Sequence, residues 1–241
     1  MRILDRILGK MEEGAYIYVL RQVANPLIKK INTIKEKEVR GFFKVVLDAA
    51  ERSLWGVLFM APGELEFKTP LIEQDKTFWE KGMKGKSVFY KQLTKEDIDF
   101  WLRKVSLALI SYSYYFYDNV PEAESNQDLG NLINKSYKLY WQRMFNYYNQ
   151  IFNENINQKE IDYYASGLKE DIEKGYTKSG NMEKVFKLTV RDYKIIASEL
   201  LQNIWREDFY LNEKKELFLG TRIWQAYQQI VQPFLVKLLK M

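Results

Sequence analysis

The sequence contains no cysteine and no histidine. Without cysteine, the chain can form no disulfide and offers no thiolate nucleophile. Without histidine, it lacks the most frequent general base and the most frequent metal ligand of proteins. Ser-His-Asp and Cys-His mechanisms and nearly all zinc sites are therefore excluded. An enzyme built from this chain would depend on carboxylates, lysine, tyrosine, serine or a carboxylate-bound Mg²⁺.

The chain also lacks a long uncharged apolar run. Its most apolar segment, LWGVLFMAP at residues 54–62, is much shorter than the ~20 residues that span a bilayer. The first ten residues are basic and apolar, but they lack the apolar length and the small-residue cleavage site of a secretory signal. We therefore expect a cytoplasmic protein without a transmembrane segment.

Glycine and proline are few, with 12 and 5 residues in 241, and charge of neither sign dominates. Lysine and arginine number 37 and aspartate and glutamate 32, so the formal net charge is +5. Residues 1–120 carry most of this excess, which is modest for a nucleic-acid binder. With 46% hydrophobic residues, the chain can bury a sizeable core as one domain over residues 1–241.

Apolar residues recur at alternating spacings of three and four along most of the chain, which is the pattern of amphipathic helices. The segment at 214–240 shows it best, although Pro233 should kink or end that helix. The fold class predicted is all-α, a bundle of about eight helices. The predicted helical ranges are 2–9, 14–33, 38–60, 75–82, 95–118, 126–152, 158–176, 190–211 and 214–240.

Helix start signals agree with these ranges. A residue favoured at the N-cap precedes an acid three positions later at four predicted starts. These pairs are Thr94 and Asp97, Ser125 and Asp128, Asn157 and Glu160, and Thr189 and Asp192.

One segment departs from the helical pattern. Residues 64–93 contain two short stretches, 64–67 and 87–93, whose alternation and composition suit a small β-hairpin insertion. Residues 80–97 also resemble residues 173–192 at an offset of 95 positions, which a duplicated helical unit or chance would explain.

An aromatic stretch places five aromatic residues among the six positions 112–117, followed by Asp118 and, after Pro121, Glu122. One stripe of the helix, which includes Trp101 and Tyr112, accounts for part of it as core. Alternatively, Asp118 and Glu122 resemble the Asp-x-x-x-Asp/Glu element by which helical isoprenoid synthases hold Mg²⁺. Pro121 interrupts that element, and no second acidic motif has the required spacing, so a helix end is favoured.

Two further features bear on binding. Lys81, Lys84 and Lys86 form a basic loop with two glycines, which is a candidate contact for an anion or nucleic acid but departs from the phosphate-loop spacing. The 17 tyrosines, with doublets at 147–148 and 163–164, suit a core rim or an interface better than base stacking.

No motif satisfies the spacing that its chemistry requires. We therefore predict a non-enzymatic helical interaction or scaffold protein, oligomeric or part of a larger assembly, with no cofactor. One alternative is a helical binder of an apolar ligand such as a lipid or isoprenoid, with Mg²⁺ at Asp118 and Glu122. A second is a nucleic-acid accessory protein that uses the basic loop.

Overall fold

The computed structural model describes residues 18–59, 94–117, 141–176, 178–181, 183–185, 187–188, 191–192 and 223–239. Regular structure in these ranges is helical and includes no strand, which confirms the all-α class. The hairpin predicted at 64–93, the helices predicted at 2–9 and 75–82, and most of the two similar segments lie outside the described residues. Among the described helices, none is both long enough and apolar enough to cross a membrane.

The helices are numbered here in chain order. They are α1 (residues 18–32), α2 (Lys37–Phe59), α3 (Lys95–Tyr117), α4 (residues 141–152), α5 (Gln158–Tyr164), α6 (Ser166–Lys174) and α7 (residues 223–239).

Two of the predicted start signals are confirmed as reciprocal caps. At α3, the Asp97 amide donates to the Thr94 hydroxyl at 3.1 Å, and the Thr94 amide donates to the Asp97 carboxylate at 3.0 Å. At α5, Asn157 and Glu160 form the same arrangement. Each box satisfies amide groups that the first helical turn leaves without an internal acceptor, so the sequence located both starts correctly.

The single helix predicted at 158–176 is wrong, because two helices occupy this range. The chain leaves helical geometry at Ala165, whose φ is −128° and ψ 22°, and α6 restarts at Ser166. The end of α6 follows a familiar signal. Gly175 adopts the left-handed conformation with a φ of 64°, which glycine reaches without the Cβ clash of other residues.

The helix α3 occupies the centre of the described structure. Residues 105–113 are all buried, so the side chains are enclosed on every side of the helix and not along the single predicted stripe. The neighbours of α3 include α2, α5 and α6. The buried Trp101 fixes α3 to α2, because its indole nitrogen lies 3.2 Å from both the Ala50 carbonyl oxygen and the Ser53 hydroxyl.

The helix α4 closes another side of the core. Trp141 packs edge-on against Phe42 of α2, with ring centroids 5.9 Å apart. The Tyr148 hydroxyl donates to the Arg103 carbonyl oxygen of α3 at 2.9 Å. At the carboxyl end of α4, Lys30 donates from its ammonium group to the Ile151 carbonyl oxygen at 2.8 Å. Such a bond satisfies one of the carbonyls that a helix end leaves unpaired.

The last helix continues through Pro233 and is not ended by it. A π-helical turn, Tyr227–Val231, lies directly before the proline, and the Gln232 amide bonds to the Tyr227 carbonyl five residues back. Proline removes an amide donor and crowds the carbonyl four residues earlier. A wider turn displaces that carbonyl from the ring, and the α-helical segment Gln232–Leu239 then carries the proline in its first turn.

Candidate functional site

The ligand residues predicted from the sequence lie outside the described residues. Asp118 and Glu122 follow the end of α3, and Lys81, Lys84 and Lys86 fall between α2 and α3. Their roles in binding Mg²⁺ or an anion therefore stay predictions.

The described aromatic residues at the end of α3 pack against other aromatic rings. Tyr112 meets Trp224 and Tyr227 of α7 edge-on, at centroid distances of 5.5 and 5.1 Å. Tyr114 meets Trp141 of α4 edge-on at 5.7 Å. Edge-on contacts of this kind add to the free energy gained by burying the rings. This part of the aromatic stretch belongs to the core.

A polar cluster joins the end of α3 to α5 and α6. The Tyr115 hydroxyl donates to the Asp162 carboxylate. The Gln158 side-chain amide donates to the same carboxylate oxygen at 2.7 Å, and the Lys169 ammonium approaches the other oxygen at 3.4 Å. The Lys169 ammonium also lies 5.7 Å from the centre of the Tyr115 ring, a cation–π distance.

The pKa shifts of Asp162 and Tyr115 favour a stable hydrogen bond that joins α3 to α5 over a proton transfer between the two groups. Burial raises the pKa of Asp162, but the hydrogen bonds from Tyr115, Gln158 and Lys169 outweigh it and lower the pKa overall. Burial and the hydrogen bond to Asp162 raise the pKa of Tyr115 well above its usual value. Asp162 therefore stays ionised near neutral pH, and Tyr115 stays a protonated donor.

A buried carboxylate holds the first turn of α6. Asp192 is fully buried and accepts hydrogen bonds from the amides of Gly167 at 2.6 Å and Leu168 at 3.0 Å. It also accepts one from the Ser166 hydroxyl at 3.0 Å. The carboxylate therefore caps α6 from 25 residues further along the chain. This position satisfies free amides and places a negative charge at the positive end of the helix.

Gly167 is required by this close approach. A Cβ atom at this position would lie 2.4 Å from the Leu188 carbonyl oxygen and within 2.9 Å of both Asp192 carboxylate oxygens. Burial raises the pKa of Asp192 to about 6, against the lowering effect of the three donors. The carboxylate therefore supports the start of α6.

Glu51 on α2 is a second carboxylate with a shifted ionisation. Burial, reinforced by the charge of Asp48, raises the pKa of Glu51 to about 7. A carboxylate that titrates near neutrality is a candidate general acid or base where a second reacting group faces it. The neighbouring Asp48 is paired with Arg52 at 3.1 Å.

Metal binding finds no support in the part of the chain that the structure describes, where no three acidic residues come together in a group able to hold an ion. The clearest surface feature is aromatic. Among the described large hydrophobic residues, Tyr18 is 64% exposed and Tyr163 is 46% exposed. Tyr163 packs edge-on against the buried Tyr164 at 5.4 Å, and the Lys104 ammonium lies 5.9 Å from the Tyr164 ring.

Sequence reasoning missed the roles of Asp162, Asp192 and Glu51. It assigned Asp192 to the first turn of its own helix, whereas the carboxylate caps α6. Local cap patterns identify a residue that can cap a helix, but they do not identify a distant helix as its partner. The 163–164 doublet was noticed, but its division into one buried and one exposed ring follows from how α5 packs.

Comparisons with known proteins give no relative for this chain. A scan against protein-family models, a search of curated proteins and a search of solved structures each returned no match.

Proposed function

We propose that this chain is a non-enzymatic helical interaction protein that self-associates through the face of α5 around Tyr163. The observation that carries the proposal is the 46% exposure of the Tyr163 ring on an otherwise anchored helix. Tyrosine is enriched in protein interfaces because it combines a large apolar ring with a hydrogen-bonding tip.

The anchoring of α5 supports this proposal. The helix starts at the Asn157 and Glu160 capping box, and Ile161 and Tyr164 are buried on its inner side. The contact between Tyr115 and Asp162 secures the same helix to α3. A ring presented by a fixed helix loses little conformational freedom on binding, and this is a property of residues that dominate interface energies.

Lysine side chains lie beside the aromatic face around Tyr163, as expected for the edge of a protein interface. Lys104 lies against the Tyr164 ring, and Lys159 is exposed one turn before Tyr163. Polar residues of this type surround the apolar centre of many interfaces. The resulting surface has an aromatic centre and a charged edge.

Sedimentation velocity and light scattering over a concentration series test the proposal. The wild-type protein should form a discrete oligomer, and Tyr163→Ala should weaken its association constant by at least about tenfold. Tyr18→Ala removes a second exposed tyrosine ring of the described residues and serves as the matched control, for which we expect no change. A strictly monomeric wild-type protein, or equal weakening by both substitutions, would contradict the proposal.

The apolar-ligand alternative depends on residues outside the described ranges, namely Asp118 and Glu122. Tyr112, earlier in the same aromatic stretch, packs edge-on against Trp224 and Tyr227 of α7. Native mass spectrometry of the purified protein separates the two functions, because a co-purified lipid or isoprenoid would favour the alternative.

A further inference from the structure

Positive charge is concentrated on the first two described helices. Residues 18–59 contain eight basic and four acidic side chains, whereas the other described residues contain 12 basic and 11 acidic ones. Five of the eight basic residues fall within residues 29–40, where α1 ends, the chain turns and α2 begins.

We call this surface the basic corner and define it by six residues. They are Lys29, Lys30, Lys35, Lys37, Arg40 and Arg143.

Arg143 belongs to the basic corner although it lies on α4. The Tyr147 hydroxyl of α4 donates to the Glu36 carboxylate at 2.7 Å, which brings the two segments together. The hydrogen bond from Tyr147 lowers the pKa of Glu36, and the charges of Arg143 and Lys35 lower it further. Both cations therefore lie close to Glu36.

Two of the six cations have structural roles. Lys30 binds the Ile151 carbonyl oxygen, and Arg40 donates from Nη1 to the Ile34 carbonyl oxygen at 2.9 Å. The other four are Lys29, Lys35, Lys37 and Arg143. All four are exposed and make neither a hydrogen bond nor an ion pair through their side chains with any described residue.

The acidic side chains of the corner offset this charge only in part. Glu36 is occupied by the Tyr147 hydroxyl, and Glu38 is exposed in the first turn of α2. A surface whose cations outnumber the carboxylates beside them, as among the described residues of this corner, attracts an anionic partner through its field. Binding of an anionic partner would also reduce the electrostatic repulsion between these cations.

We propose that the basic corner binds the phosphate backbone of a nucleic acid. Phosphate contacts require exposed cations spread over a surface and need neither a pocket nor an apolar anchor. The corner matches this requirement, since its unpaired cations extend from the last turn of α1 through the link into α2 and across to α4. Contacts of this kind are independent of base sequence.

Two other anionic partners fit the corner less well. A membrane surface would need apolar side chains that insert beside the charges. Among the residues of these helices whose exposure the structure describes, the nearest exposed large hydrophobic residue is Tyr18, 11 residues and therefore about 16 Å along α1 from Lys29. An acidic protein would need a buried aromatic or arginine anchor at the centre of the contact. Tyr147 uses its hydroxyl on Glu36 and is only half-buried, so it does not provide one.

Fluorescence anisotropy with labelled 20-nucleotide DNA, single-stranded and duplex, tests the proposal. With three or four phosphate contacts, affinity should fall about 20- to 50-fold for the single strand and about 40- to 150-fold for the duplex between 50 and 200 mM salt. The variant K29E/K35E/K37E should lose at least about tenfold in affinity at low salt. The neutral variant K29Q/K35Q/K37Q should bind with a smaller salt dependence than the wild-type protein, because fewer phosphates are contacted.

The matched control is K95E/K178E/K184E, which makes the same change in net charge at three exposed lysines outside both the basic corner and the face around Tyr163. It should change affinity by less than about twofold to threefold, because only the long-range field is altered. Thermal melting of all variants checks that they fold. Binding to either form of DNA with this pattern supports the proposal.

Three results would overturn it. The first is the absence of DNA binding by the wild-type protein at low salt. The second is an equal loss of affinity in the control variant, which would show that net charge alone matters. The third is binding to anionic vesicles or to polyglutamate at salt concentrations where neither DNA binds, which would identify a membrane or an acidic protein as the partner.

Discussion

At the scale of single residues, the buried serines Ser53, Ser106 and Ser111 differ in whether their hydroxyl groups have a hydrogen-bond partner among the described residues. The Ser53 hydroxyl accepts from Trp101 and donates to the Ala50 carbonyl oxygen at 2.8 Å. The hydroxyls of Ser106 and Ser111 in α3 are equally buried, but they meet no hydrogen-bond partner within the described part of the chain. A buried hydroxyl without a partner costs about 1–3 kcal/mol of free energy relative to its hydrated state.

Substitution of these serines should separate the two groups. Ser106→Ala or Ser111→Ala removes an unpaired polar atom and should raise the free energy of unfolding by about 0.5–1 kcal/mol. Ser53→Ala removes a bridge between α2 and α3 and should lower the free energy of unfolding by about 1 kcal/mol. Urea denaturation measures both effects. A loss of stability for Ser106→Ala equal to that for Ser53→Ala would show that the Ser106 hydroxyl is paired in solution.

Glu51 should give the stability of the protein a pH dependence. Burial and the charge of Asp48 raise the pKa of Glu51 to about 7 in the folded state, from an ordinary value of 4.5. The folded chain therefore binds the proton more tightly than the unfolded chain, and this contribution to stability is complete below about pH 4.5 and is lost as the pH rises through about 7.

Glu51→Gln isolates this contribution. Glutamine resembles the protonated side chain, so the variant should match the wild-type protein near pH 4.5 and exceed its unfolding free energy by about 1–2 kcal/mol at pH 8. Urea denaturation across this range measures the difference between the two proteins, which removes contributions common to both, including that of Asp192. A constant difference at every pH would argue against a raised pKa.

At the scale of elements, the sequence located the helix limits that the structure describes within a few residues, apart from the division at Ala165. The helices predicted at 38–60 and 95–118 are observed at Lys37–Phe59 and Lys95–Tyr117. The agreement is close because cap residues and periodicity are local properties of the sequence. The division at Ala165 was missed because it depends on Asp192, a carboxylate distant in sequence. The π turn was missed because the pattern around Pro233 indicates a disturbed helix but not how the backbone accommodates it.

The start of α6 provides the sharpest test at this scale. Gly167→Ala should lower the free energy of unfolding by at least about 2 kcal/mol, although alanine is the better helix former by about 1 kcal/mol. The reason is the 2.4 Å approach of the new Cβ to the Leu188 carbonyl oxygen, a backbone atom that cannot rotate away. Thermal or urea denaturation measures the change.

Gly41→Ala is the matched control within α2. Its Cβ would lie 3.1 Å from the tip of the Phe234 ring, which is half-buried and needs to move only a few tenths of an ångström. We expect a change below about 1 kcal/mol in either direction, because helix propensity and crowding oppose each other. If Gly167→Ala is no more destabilising than Gly41→Ala, then Asp192 and Leu188 do not lie as close to Gly167 as the structure places them.

At the scale of the whole molecule, the enclosure of α3 distinguishes it from α5 and α6, which have exposed sides. The sequence predicted one buried stripe on α3. The sequence could not predict that α3 is enclosed on all sides, because the serines at 106, 111 and 113 suit a solvent-exposed face as well as a tightly packed one. Which applies depends on the other helices that cover α3.

Hydrogen exchange should reveal this difference. Backbone amides of residues 102–113 should exchange only through global unfolding, with protection equal to the free energy of unfolding. Amides of α5 and α6 should exchange faster, through local opening, because fewer buried contacts hold these helices. Exchange followed by mass spectrometry at several urea concentrations measures both. Equal protection of the two regions would contradict a central position for α3.

The central position of α3 also has a consequence for how the protein is made. The ribosome releases α3 before the segments that form α4, α5, α6 and α7, which supply much of its cover. During synthesis, the nascent chain must therefore carry an apolar, tyrosine-rich segment before these later helices can cover it. A chain that stops before Trp141 would lack the cover that these later helices supply, which makes premature termination a direct route to aggregation and creates a demand for chaperones at this stage of translation.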